Sequence, residues 1–151
     1  MTAAGALAAT LFLTTASQAS TATVDLSITG NTVAGYTKAQ HGQELPVVFT
    51  IKNRSTTTAA SISFYFTLTH ATASAADYTC PLITSHYNIN PDTPACEPGT
   101  LGFGRSTSAA ILVTPTIYSG TVTVKACAQN LSGNADPVPS NNCRTITIAI
   151  G

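Results

Sequence analysis

The chain has 151 residues, about one domain's worth, with 8% charged residues and a formal net charge of zero. Six Lys and Arg make no basic face for nucleic acid or an anionic membrane surface, so those partner classes are set aside. Thr, Val and Ile suit strands, helix formers are scarce, and so little charge leaves self-association open.

Residues 1–19 stand apart. Ala3 to Leu13 is an apolar run of h-region length, and Ala16-Ser-Gln-Ala19 offers the small residues that a signal peptidase reads. The expectation is a signal peptide cleaved after Ala19, with residues 20–151 forming the domain. Its place would be secreted, extracellular or periplasmic, in some settings held at the cell surface. No Lys or Arg precedes Lys38, so a charged n-region would have to lie upstream of this start. The alternative is a buried or interfacial helix. The run is too short and too rich in Thr and Ser for a good membrane span, and no later stretch reaches that length. No integral membrane segment is expected in the mature chain.

The rest reads as short strands between turns, without an amphipathic helix. Strand A is expected over Thr23 to Thr29, with Val24, Leu26 and Ile28 inward. Strand B runs from Leu45 to Asn53, with Leu45, Val47, Phe49 and Ile51 inward. Pro46 removes one ladder donor and so belongs at a strand start or edge. Strand C covers Ala60 to Thr69, with Ile62, Phe64, Phe66 and Leu68 inward and Tyr65 outward. Ala71 to Gly104 is the least regular stretch, with a weak D strand expected near Ile83 to Ile89. Strand E covers about Ser108 to Thr114.

The last thirty residues carry the sharpest pattern. Gly120-Thr-Val-Thr-Val-Lys-Ala-Cys127-Ala-Gln129 and Asn142-Cys143-Arg-Thr-Ile-Thr-Ile-Ala-Ile150 both alternate with period two. Setting Cys127 opposite Cys143 puts Lys125 opposite Thr145 and Thr123 opposite Thr147. The other face then matches Val124 with Ile146 and Val122 with Ile148, as antiparallel pairing requires. Only Ala126 opposite Arg144 is an imperfect pair. This predicts a hairpin with its disulfide on the outer surface.

Four cysteines suit an oxidising compartment and allow three pairings. Cys80 with Cys96 and Cys127 with Cys143 share one short spacing and are the favoured pair. Each would close a loop of about 15 residues, contributing roughly 3 kcal/mol in the chain-entropy account. No Cys-x-x-Cys or His pair at zinc spacing is present, so no metal site is expected. The whole indicates an all-β, immunoglobulin-like β-sandwich of about seven antiparallel strands with two disulfides.

Several motifs resemble the cell-adhesion-related domain found in bacteria (CARDB) and the related conserved-repeat domains of bacterial surface proteins. They are Val24-Asp-Leu-Ser-Ile28, Gly42-Gln-Glu-Leu45, Val48-Phe-Thr-Ile-Lys-Asn53, Gly99-Thr-Leu-Gly102, Val113-Thr-Pro115 with Gly120-Thr-Val-Thr-Val124, and Asp136-Pro-Val-Pro-Ser-Asn-Asn142. Each alone is strand-and-turn grammar; their order and spacing carry the likeness over Thr23 to Ile150. The resemblance implies a secreted or surface module, generally non-enzymatic. Where such domains often place Gly after the Asn that ends strand B, this chain has Arg54-Ser55.

Catalytic constellations are weak. His41, His70 and His86 lie in a turn, at a strand end and in the long loop, and no Gly-x-Ser-x-Gly elbow exists. Among the acids Asp25, Asp77, Asp92, Asp136, Glu44 and Glu97, nothing singles out a catalytic pair. Asp136 to Asn142 could ligate Ca²⁺ through oxygen, but Asp and Asn more readily bond local backbone in turns. No cofactor is expected. Tyr65, Tyr78 and Tyr87 are the candidate binding residues, as an aromatic platform for protein or glycan at the cell surface. The alternatives to an adhesion module are a carbohydrate-binding module on that platform and a fibre subunit assembling by strand exchange.

Overall fold

Alternating burial builds two facing sheets. In the computed structural model, which describes residues 23–32, 35–56, 59–75 and 95–151, there are nine strands among the described residues. They are β1 (Leu26–Thr32), β2 (Lys38–Ala39), β3 (Leu45–Asn53), β4 (Ala59–Thr69), β5 (Ala71–Ala75), β6 (Ala95–Leu101), β7 (Ser106–Pro115), β8 (Gly120–Asn130) and β9 (Cys143–Ile150). One sheet has the order β1-β3-β7-β5 and the other β2-β9-β8-β4-β6. All pairings are antiparallel except β2 with β9.

The inward positions expected from the alternation form the core. Val24, Leu26, Leu45, Val47, Phe49, Ile51, Ile62, Phe64, Phe66, Val122, Val124 and Ile148 are buried, with Leu68 and Ile146 partly buried against them. Phe49 meets Phe66 across the sandwich with ring centroids 5.8 Å apart. Full burial of each such ring contributes about 1.5–3 kcal/mol. Gly30 faces inward opposite Phe49. A Cβ there would lie 2.4 Å from Phe49 Cδ1, so only glycine fits beneath the ring.

The hairpin of β8 and β9 has the register read from the sequence, from Val122 opposite Ile148 to Cys127 opposite Cys143. The Cys127–Cys143 disulfide is formed, with Cα atoms 4.1 Å apart. Cys127 has the expected outward parity, yet it is only 2% exposed. Its neighbours on that face are Cys143 and, across β4, Tyr65. The second expected disulfide and the D strand involve Cys80 and Ile83 to Ile89, outside the described residues. The same holds for residues 1–19.

Three strands depart from the expected seven. β2 has two residues, too few to show a period. β5 is Ala-Thr-Ala-Ser-Ala, whose small side chains give almost no hydropathy contrast. β6 contains Pro98 and Gly99, which read as a turn, but it is an edge strand, where proline is tolerated. Register shifts in its pairing with β4 mark the irregularity. β1 also begins three residues later than expected, because Thr23 is held by a separate parallel bridge to Ala135.

Candidate functional site

The loop between β8 and β9 reaches back to clasp the start of β1. The carboxylate of Asp136 accepts from Leu26 N–H (3.0 Å) and Asn142 Nδ2 (3.0 Å) through Oδ2, and from Val138 N–H (2.8 Å) through Oδ1. Val24 N–H donates to the Ala135 carbonyl at 3.0 Å, and Asn141 Nδ2 to Asp25 Oδ1 at 3.1 Å. The Asp136 oxygens are therefore engaged by N–H donors of the chain, as turn formation requires. The side-chain oxygens of Asn141 and Asn142 are buried without a hydrogen-bond partner. Sequence reasoning placed Asp136 in a turn but not against β1, whose partner residue is 110 positions away.

Beyond the clasp, no strand among the described residues covers the side of the sandwich between β1 and β9. Leu26 N–H points away from β3, so by strand alternation the N–H groups of Ile28 and Gly30 point the same way. On β9, Ala149 N–H donates to Thr37 O (3.0 Å) and Gly151 N–H to Ala39 O (3.3 Å). The same alternation turns the N–H and C=O of Thr145 and Thr147 outward, where β2 does not reach. Between the two edges lies a groove of about 540 Å³ lined by Gly30 to Thr32, Gly35 to Thr37 and Arg144 to Thr147. It continues into a second hollow of about 310 Å³ along Ile28 to Asn31, and Arg144 lines both. Tyr36, 51% exposed, stands at the far end. Gly30, one residue past the expected end of strand A, lies inside β1.

The expected aromatic platform is only partly in view. Tyr65 lies on the outer face of β4, opposite Cys127 on one side and Ala95 on the other, and is half-buried. Tyr78 and Tyr87 are outside the described residues.

The histidines are far from one another in role. His41 stacks on the exposed Tyr118 at 3.9 Å in the turn before β3. His70 is the pivot at which β4 passes into β5 in the opposite sheet, with φ 61° and its carbonyl accepting from Thr116 N–H at 2.8 Å. His86 lies outside the described residues. At the end of β3, Asn53 makes the turn that glycine often supplies. Its Oδ1 accepts from Ser55 N–H (3.1 Å) and Ser55 Oγ (2.6 Å), while Nδ2 donates to Leu101 O (3.0 Å).

No family model matches the chain, and no curated protein does. Solved structures do. The CARDB domain of a Pyrococcus furiosus protein, determined in solution, superposes with a TM-score of 0.61 at 12% identity, covering 85% of this chain and 95% of that one. A crystal structure of the same domain in complex with di-metal ions gives 0.59 at 12% identity, covering 89% and 95%. A cohesin module from Clostridium perfringens gives 0.47 at 13% identity, covering 85% and 97%. The chain thus shares its fold with the CARDB domain, the likeness its strand-and-turn motifs suggested.

Proposed function

We propose that this chain is a non-catalytic module of a secreted or cell-surface protein, serving adhesion, binding or extracellular structure. The observation that carries the reading is the CARDB-type sandwich closed by the Cys127–Cys143 disulfide. Disulfides of this kind form and persist in oxidising compartments. The reading takes residues 1–19 as a signal peptide removed after Ala19 and Cys80 with Cys96 as a second disulfide. The partner is a protein or glycan at a cell surface.

Expression of the full chain in a secreting bacterial host tests the compartment. A mature form starting at Ser20, outside the cytoplasm and oxidised at Cys127 and Cys143, is the expected product. An unprocessed, reduced cytoplasmic form would refute the reading. Purified domain coupled to beads then tests adhesion to cell surfaces and to a glycan array. Glycan binding that falls with Tyr65→Ala would assign the partner class as sugar. Hydrolytic activity that co-purifies and disappears with His86→Ala would overturn the non-catalytic role.

A further inference from the structure

The open side of the sandwich presents main-chain groups in a repeating array. Thr145 and Thr147 each turn one N–H and one C=O outward along β9, and their side chains are exposed. The edge is competent for pairing, because Lys38 and Ala39 already occupy its last two positions as a parallel strand. The groove beside it has defined ends. The Asp136 clasp covers the edge of β1 at Val24 and Leu26, and Gly35 to Thr37 cross at the other end. From Ile28 to Thr32 this leaves roughly 13 Å, enough for about four residues of extended chain. Arg144 lines both hollows and is the one charged residue among the described residues that line them.

From this geometry we infer that the β1–β9 groove binds a short extended peptide segment of a partner protein, added as a strand to the free edge of β9. Peptide backbone supplies donors and acceptors at the spacing of Thr145 and Thr147, which a strand edge requires of its partner. Arg144 sets the side-chain preference: an Asp or Glu in the segment is favoured over Lys by charge complementarity. The inference rests on the binding-module reading and specifies its surface.

The probe is a panel of capped pentapeptides of alternating Val and Thr, with one Asp placed at each position in turn. Each is titrated into the isotopically labelled domain to about 5 mM, which detects millimolar association. The expected result is selective movement of the Thr145 and Thr147 amide resonances, with slowed hydrogen exchange at both. Replacing Asp by Lys in the best peptide weakens binding about tenfold. Arg144→Glu reverses that preference, a readout that a purely structural role for Arg144 would not move. Thr145→Pro, which removes one outward donor on an edge that tolerates proline, abolishes the peptide-induced shift at the Thr147 amide while the hairpin resonances stay in place.

No response from any peptide would overturn the inference, as would shifts confined to another face. Binding at Tyr65 would do so while leaving the module reading intact. Self-association of the free domain that is lost in Thr145→Pro would give the edge to a second copy and overturn the partner-peptide assignment. Catalytic activity would instead defeat the module reading, whatever the groove binds.

Discussion

The two ends of the β1–β9 side are built from the same strands and treated differently. At one end, the Asp136 loop takes up the outward N–H groups of Val24 and Leu26, and the Cys127–Cys143 disulfide ties the base of that loop. A few residues further along, Ile28, Gly30, Thr145 and Thr147 turn equivalent groups toward a groove. The difference lies in the loop and not in the strands. A long connection rich in Asp and Asn can fold back and satisfy an edge. A two-residue β2 covers only the last turns of the other edge. A strand edge that no described residue covers is available for another chain.

Four variants test that contrast. Replacing Cys127 and Cys143 together by Ser should have the largest effect, about 3 kcal/mol in urea unfolding, from the chain entropy regained by the unfolded state. A loss under about 1 kcal/mol would mean that the loop holds the closed end without the disulfide. Asp136→Ala should cost about 2 kcal/mol by removing a carboxylate acceptor from three donors. It should also speed hydrogen exchange at Leu26 to the level of Ile28; unchanged protection at Leu26 would break the distinction between the two ends. Gly30→Ala should cost about 1.5 kcal/mol, since the new methyl group meets the Phe49 ring. A neutral result would show that Phe49 can leave β1 at little cost. Thr145→Pro should change stability by no more than about 0.5 kcal/mol, because the lost N–H points out of the sheet. A cost as large as that of Asp136→Ala would mean that the β9 edge is already paired.

The framework was legible where side chains alternate strongly. Leu45 to Asn53 was read to the residue, and the hairpin register was worked out from which residues can oppose which. β5 and β6 were not legible, for opposite reasons. Ala71 to Ala75 carries too little hydropathy contrast, and Pro98-Gly99 carries a turn signal that an edge strand overrides. The clasp was out of reach for another reason: local sequence makes Asp136 a turn former, and only the packed sheets bring Leu26 to it. The groove is harder still to foresee, since it consists of backbone groups that a short β2 leaves uncovered. The outward direction of Tyr65 followed from strand parity alone, which does not give its surroundings.

The clasp also has a mechanical side. Thr23 and Gly151 leave opposite ends of the sandwich, one beside Ala135 and the other beside Ala39. Tension applied between them would run lengthwise and load β1 in shear against β3. The Thr23–Ala135 bridge and the Asp136 hydrogen bonds would stand first in the line of force. Resistance to such pulling follows the rate of rupture and not the equilibrium stability. Single-molecule stretching from these two residues should therefore show Asp136→Ala lowering the rupture force of the intact domain.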